Sequence, residues 1–320
     1  MWIDRGDARE AIGAEKPRFS RVSVVKIAIM NAADRGGGAE SVAARLRDEL
    51  RRKGHEVSFL VARATAPDSI EISGVCDWIL GRIGHRLGIG DLFSVSSATL
   101  VRLPVVRDAD VIHFHNLHGF YFGMLLVPRI ARLKPVVWTL HDMWALTGGC
   151  YHPLFCGRWL ENCGACPQRG VFPMNGLVDG SSLALRAKRR ALAAVLEKGA
   201  IVGVSPWMVE QAETALRRGD SFGKPVRLIR NGVDTNVFFP GEDSAVRAEL
   251  GIPTGPFGVL MVVGQFANWQ KGARVGIEAV RQVAGLMPVT LIYVGSEMPR
   301  ELRAVLEREM TVVTTGPISD

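Results

Sequence analysis

The stretch Val22-Ser-Val-Val-Lys-Ile-Ala-Ile-Met30, continued by Asn31-Ala-Ala-Asp-Arg-Gly36-Gly37-Gly38-Ala-Glu40, decides the fold. A short β-branched apolar run of this kind reads as a buried strand. The glycines turn the chain, and Val42, Leu46 and Leu50 then recur at helical spacing before basic residues and Gly54. His55-Glu-Val-Ser-Phe-Leu-Val61 is the next strand. Strand, glycine loop, helix and strand make one βαβ unit.

Further strands are expected at Val111–His115, Pro135–Leu140 and Ala200–Val204, with helices between them such as Leu183 to Lys198. This alternation implies an α/β protein with a parallel sheet covered by helices on both faces. The pattern changes near Phe222. Val226 to Asp234 reads as a strand and turn, and Pro240-Gly and Pro253-Thr-Gly-Pro256 suit an interdomain connection. A second α/β unit follows: strand Phe257–Val263, helix Gly272–Ala284, strand Val289–Val294, helix Pro299–Glu309 and strand Thr311–Thr315. The expected division is a disordered leader over 1–23 and a first domain over 24–221 with a Cys-rich loop at 148–168. A connection over 222–256 and a partial second domain over 257–320 complete it.

The 320 residues suit about two domains. With 48% apolar and 22% charged residues and 35 glycines, the composition excludes a disordered or fibrous chain. A net charge of +7 can attract nucleic acid, anionic lipid or phosphorylated small molecules, and is equally ordinary for a soluble protein. No apolar run approaches the ~18 residues of a membrane span. Met1 to Arg21 mix acids and bases without an apolar stretch and do not read as a signal peptide. A cytoplasmic location is expected, where five cysteines argue against a disulfide framework.

Several loops carry residues suited to chemistry. Gly36-Gly37-Gly38 is either a tight turn or a seat where backbone amides and a helix N-terminus meet a phosphate. It matches neither the dinucleotide fingerprint nor the Walker loop. Asp110-Val-Ile-His-Phe-His-Asn-Leu-His118 places His113, His115 and His118 at a strand end, with His113 and His115 on one face. They read as cleft residues or, less well, as metal ligands. His141-Asp142 stands just past an apolar strand, where open α/β sheets bind ligands. Such a histidine is either structural or a donor to a substrate.

Cys150-x5-Cys156-x6-Cys163-x2-Cys166 gathers four cysteines in one loop, with His152 as a spare ligand. The last pair has zinc-knuckle spacing, so a structural zinc site is one reading. A redox pair or plain reduced thiols are the others. Cys76 stands alone and reads as core. Lys271, in Gly264-Gln265-Phe-Ala-Asn268-Trp269-Gln270-Lys271-Gly272, is either a solvated lysine or a point charge for a diphosphate.

Together these segments resemble glycosyltransferase family 4, retaining sugar transferases of the GT-B fold, and within it the exopolysaccharide and colanic-acid-type subset. The strings are Gly36-Gly-Gly-Ala-Glu40, Ile112-His-Phe-His-Asn-Leu-His-Gly119, Val137-Trp-Thr-Leu-His-Asp-Met-Trp144 and Thr147-Gly-Gly-Cys150. Cys163-Gly-Ala-Cys-Pro-Gln168, Val204-Ser-Pro-Trp207, Ile229-Arg-Asn-Gly-Val-Asp234 and Ala267-Asn-Trp-Gln-Lys-Gly272 complete the set. The resemblance implies two Rossmann-like domains facing across a cleft, the first for the acceptor and the second for a nucleotide-sugar donor.

By that resemblance the Gly37 and Gly38 amides contact phosphate, His141 approaches the transferred sugar, and Lys271 clamps the donor diphosphate beside Gly264 and Gln265. His115, Asn116, His118, Asp142 and Asn231 belong to the acceptor side and cleft. No cofactor is required for catalysis, since lysine and helix amides take up the leaving diphosphate's charge. A hexosyltransferase with a saccharide or polyprenyl-linked acceptor is implied.

Two departures stand out. Gly264-Gln265 replaces a Gly-Arg common in the broader family, and a neutral amide lacks arginine's charge. The family also carries a Glu-x7-Glu segment after a Pro-Ser strand, which would fall beyond Asp320. Glu301 and Glu309 have that spacing on a charged helix and read as coincidence. The expectation is therefore a second domain incomplete by roughly a hundred residues. The alternative function is a truncated or inactive glycosyltransferase-like binding protein. A zinc-containing nucleic-acid binder ranks last, because aromatic residues are only 7% and the basic residues are scattered. Trp78-Ile-Leu-Gly-Arg82-Ile-Gly-His-Arg86-Leu and the basic run Leu185–Arg190 read either as peripheral contacts with an anionic membrane or as ordinary helix faces.

Overall fold

A computed structural model describes residues 23–171, 173–218, 225–241 and 244–318. Residues 1–22 of the expected leader lie outside the described residues, as does the expected boundary at 221/222. The described residues divide into two compact units, the first ending at Gly232 and the second beginning at Val233.

The first unit opens with β1 (Lys26–Ala33), α1 (Gly38–Arg52), β2 (Glu56–Arg63) and β3 (Ser69–Glu71). It continues through α2 (Val75–Arg86), α3 (Val95–Leu100), α4 (Pro104–Arg107), β4 (Val111–Phe114), α5 (Val127–Leu133) and β5 (Val136–Leu140). It closes with α6 (Ser181–Lys198), β6 (Ala200–Gly203), α7 (Pro206–Arg217) and β7 (Arg227–Leu228). The strands form one sheet ordered β3-β2-β1-β4-β5-β6-β7. Every pairing is parallel: Ile27 meets Val57 on one side of β1 and Val111 on the other. Ala28, Ile29 and Met30 are fully buried, so β1 is covered on both faces. That is why its sequence runs apolar instead of alternating. The chain winds outward from β1 to β3, then returns to pair β4 with β1. The resulting switch point lies between the ends of β1 and β4, where such sheets bind ligands.

Local signals set the element ends. Gly37 is the N-cap of α1, and Gly36 takes a φ of 116° that a side chain would resist. The Ser205 hydroxyl accepts from the Met208 amide, and Pro206 fills the first turn of α7. Within the expected strand and turn over 226–234, the strand is Arg227–Leu228, which pairs with β6 at Val202 and Gly203.

Helix α2 packs the reverse of an ordinary surface helix. Asp77 and Gly81 are buried, whereas Trp78, Ile79, Leu80 and Ile83 face outward. Asp77 accepts from the amides of Gly74 and Ser96 and from the Ser94 hydroxyl. Cys76 is exposed on the outward face, which corrects its expected place in the core. The run Leu185–Arg190 is not a uniform basic surface either, since Lys188 is 1% exposed inside α6.

The second unit contains α8 (Ser244–Glu249), β8 (Phe257–Val263), α9 (Ala273–Ala284), β9 (Val289–Gly295), α10 (Arg300–Glu309) and β10 (Thr311–Gly316). Its parallel three-stranded sheet is ordered β10-β9-β8. Leu291, Tyr293, Ile277 and Leu306 form its core. β8 is an edge strand here, and its Phe257, Leu260 and Val262 are exposed.

Candidate functional site

The histidines of the first unit meet at the carboxyl ends of β4 and β5. Parallel pairing sets His113 opposite Val137 and Phe114 opposite Trp138. His115 and His141 are the first residues after β4 and β5. His113 Nε2 hydrogen-bonds Thr139 Oγ1 at 2.9 Å, and His115 Nδ1 lies 2.9 Å from His141 Nε2. The His115 and His141 rings are tilted by only 19° with centroids 5.1 Å apart. With the nitrogens so much closer than the centroids, the rings meet edge to edge and the bond lies near both ring planes. The ring of His113 adjoins His115 at 4.4 Å between centroids.

Burial disfavours the imidazolium form in all three, and each feels the neighbouring positive charge it would face. His113 is pushed down to about 4, by burial first and His141 second. His141 is pushed down to about 4 by burial, with Asp142 opposing and His118 reinforcing the shift. His115 is driven well below the ordinary histidine range. The group is therefore neutral near pH 7.

The other expected cleft residues take distinct places. The Asn116 amide donates to Asn31 Oδ1 at 3.1 Å, and its carbonyl accepts from Tyr121 OH at 2.6 Å. Asp142 Oδ1 accepts from the Trp144 amide at 2.8 Å, while Oδ2 lies 3.7 Å from His118 Nε2. The adjacent His141-Asp142 pair thus does not form a hydrogen-bonded dyad: the carboxylate caps a turn and faces His118. The His118 ring sits between Trp144 and Tyr151, at 5.6 and 4.7 Å. Asn231 is exposed beyond β7.

Sequence reasoning missed Asn31 and Asp91. Asn31 is fully buried at the end of β1 and ties it to the loop after β4. Asp91 accepts from the Phe120 amide and from Trp144 Nε1. A polar residue inside an otherwise apolar strand run was the one signal for Asn31. Beside His118 an open cavity of about 700 Å³, mouth included, is lined by His85, Asp91, Phe120, Tyr151 and Arg169. Ring faces with a few charged groups suit a polar small molecule.

At the glycine loop, Gly38 has open space where a side chain would stand, whereas one at Gly37 would collide with the Glu40 carboxylate. The N-terminus of α1 favours an anion, and an acidic side chain in its first turn already lies against it. In the second unit Gly264, Gln265 and Lys271 share the loop after β8. The Gln265 carbonyl accepts from the Asn268 amide, and Lys271 is exposed at the end of a 3₁₀ turn. Gly272, at φ 69°, then opens α9 at Ala273.

Cys150, Cys156, Cys163 and Cys166 all line one small cavity and are all free thiols. Burial raises Cys150 and Cys166 and pushes Cys163 up to about 11. Lys188 lies underneath, donating to the Trp144 carbonyl at 2.9 Å with its ammonium 3.6 Å from the centre of that indole. Burial pushes it down to about 8. His152 is turned to other work: Nδ1 accepts from the Leu154 amide and the ring stacks on Trp207. Among the described residues no three of Cys, His, Asp and Glu are arranged to hold a metal ion.

A parallel sheet with a ligand-suited switch point defines the broad class, and comparison with known proteins narrows it. The sequence profile of Glycosyltransferase Family 4 matches residues 36–237, more than half of the chain. The chain belongs to glycosyltransferase family 4. It is 29% identical over 157 residues to a protein of Escherichia coli (strain K12) assigned as the colanic acid biosynthesis glycosyl transferase WcaC. That alignment spans 47% of this chain and 37% of the relative, so it covers well under half of the relative's length.

Two solved structures share the fold. WaaG, a glycosyltransferase involved in lipopolysaccharide biosynthesis, superposes with a TM-score of 0.55 at 13% identity, covering 92% of this chain and 70% of that one. A glycosyltransferase from Rickettsia africae gives 0.53 at 14% identity, over 93% and 70%. The architecture is the GT-B glycosyltransferase type. No helix of the described residues is long and apolar enough to cross a membrane.

Proposed function

We propose that this chain transfers a sugar, with retention of configuration, from a nucleotide-sugar donor to a saccharide acceptor in the assembly of a cell-surface polysaccharide. The observation that carries the reading is the neutral histidine group at the ends of β4 and β5, beside the switch point of a family 4 sheet. His141 is the catalytic residue in this reading: its Nε2 is already engaged, and its Nδ1 remains to meet the sugar. Lys271, with Gly264 and Gln265, takes the diphosphate, and Gly37 and Gly38 offer amides to phosphate once the Glu40 carboxylate swings away. Charge builds on the leaving diphosphate as the glycosidic bond breaks, so donors aimed there lower the barrier most. The cavity beside His118, with Asn116 and Asp142 close by in sequence, is the acceptor side. The chemistry needs no metal, and the protein works in the cytoplasm.

His141→Ala should reduce transfer at least about 100-fold, the usual effect of removing one well-placed donor. The assay uses a panel of nucleotide sugars, with donor binding followed by calorimetry. Donor binding without turnover, or no donor binding at all, would leave a glycosyltransferase-like binding protein instead.

The outward face of α2 supports peripheral contact with an anionic membrane and hence a lipid-linked acceptor: exposed Trp78, Ile79, Leu80 and Ile83 stand beside Arg82 and Arg86. The cysteine loop enters the proposal as a structural zinc site that forms when the four thiols draw together. Burial disfavours the thiolates, and Lys188 beside Cys150 and Arg158 beside Cys166 offset only part of that. Purified protein should contain about one zinc per chain. A content near zero removes zinc from the proposal.

A further inference from the structure

His115 and His141 share a single hydrogen bond between Nδ1 and Nε2. Each neutral imidazole has one N–H and one lone pair, so the bond can be made in two ways. If His115 donates, its own Nε2 is a bare lone pair and His141 carries its proton on Nδ1. If His141 donates, His115 must carry its proton on Nε2. That nitrogen is buried, and no partner among the described residues reaches it. The two arrangements strand different things: a lone pair in the first, an N–H in the second. Buried donors without an acceptor are the rarer defect in folded proteins.

The surroundings offer that proton nothing. The His113 ring adjoins His115, but its Nε2 is occupied by Thr139 Oγ1. The His115 carbonyl is taken by Trp138 Nε1 at 3.1 Å. The groups that face His141 besides His115 are His113, His118 and Asp142. Asp142 is held by the Trp144 amide, with its other oxygen turned to His118.

We propose that His115 is a positioning residue: by donating from Nδ1 it holds His141 in the Nδ1–H tautomer, so that His141 offers a hydrogen-bond donor to the transferred sugar and does not act as a base. The role toward the sugar rests on the functional reading above, whereas the tautomer stands without it. One consequence is that the proton of the acceptor hydroxyl leaves by another group, since the only lone pair of His141 is already occupied. The near-coplanar bond also fixes the ring plane, so the donor points one way.

Nitrogen spectra of the full chain labelled at histidine test the tautomer directly, with His141→Gln assigning the resonance. The expected pattern for His141 is a protonated Nδ1 and a bare Nε2. His115→Phe keeps a flat ring but removes the donor, and should move the His141 pattern toward protonated Nε2. His115→Asn, whose amide can stand where Nδ1 stood, should restore the original pattern. A wild-type His141 protonated on Nε2 overturns the proposal, as does a pattern indifferent to His115→Phe. If the phenylalanine variant does not fold, the wild-type spectrum still decides. In turnover, His115→Phe should lower kcat by about 10–100-fold, the range for losing a partner that orients a functional histidine, with KM little changed and recovery in His115→Asn. The expected tautomer with no transfer from any donor would retire the functional reading and leave the tautomer assignment standing.

Discussion

Three histidines that touch one another and are shielded from water hold little affinity for protons, and that ties stability to pH. In the unfolded chain each titrates near 6.5, whereas in the fold His113 and His141 titrate at about 4. Between those values the unfolded state binds more protons, so stability rises with pH there. Acidification from pH 7 to pH 5 should therefore lower Tm, and His113→Phe should blunt the fall. A Tm unchanged over that range would show that the histidines are not shielded. Asn31 makes a second test. Asn31→Ala strips the partly buried Asn116 amide of its acceptor, at a cost of about 1–3 kcal/mol. Urea unfolding should shift accordingly, and a midpoint matching wild type would contradict the assignment. The positions of His113, His115 and His141 were legible from a strand end and its spacing. The bond between His115 and His141 was not, because it depends on β5 lying beside β4 in a register that neither strand encodes alone.

Helix α2 shows where periodicity misleads. Apolar residues at helical spacing ordinarily face the core. Here Gly81 takes the inward place because its bare backbone fits against Phe120, where a Cβ would stand 2.4 Å from the Phe120 Cβ. Asp77 can turn inward because Ser94, Ser96 and Gly74 satisfy it. Tertiary partners thus decide which face turns inward, and nothing within the helix could reveal them. Gly81→Val should destabilise the first unit by about 1–3 kcal/mol through overpacking, read by thermal unfolding. Trp78→Ser with Ile83→Ser should do the opposite of a core lesion. Tm should hold, because the side chains are 62% and 51% exposed. Flotation with vesicles rich in anionic lipid should fall about tenfold or more, given roughly 1.5–3 kcal/mol for each apolar side chain fully buried. Equal flotation of variant and wild type would remove the membrane from the reading. The second unit was read more closely, its strands matching within a residue, because each is a short run rich in β-branched or apolar residues between turn signals.

At the scale of the whole molecule, every strand pairing among the described residues is parallel, so none of those neighbours is joined by a short hairpin. The strand alternation in the sequence announced this, but the order of strands needed the long return from β3 to β4. β1 lies inside the sheet, and the Lys26 amide is held by Asp110, 84 residues further along the chain. At roughly 5–20 residues per second of synthesis, that partner is made roughly 4–17 s after β1. Through this interval one side of a largely apolar strand has no neighbour, and its residues are ones that chaperones or other nascent chains would seize. Nascent chains stalled before β4 should be cut readily by protease and should hold trigger-type chaperones. Chains stalled beyond β6 should resist cleavage and release them. The central joint of the sheet that shelters the histidines thus waits for β4, and the length of that wait is written into the strand order.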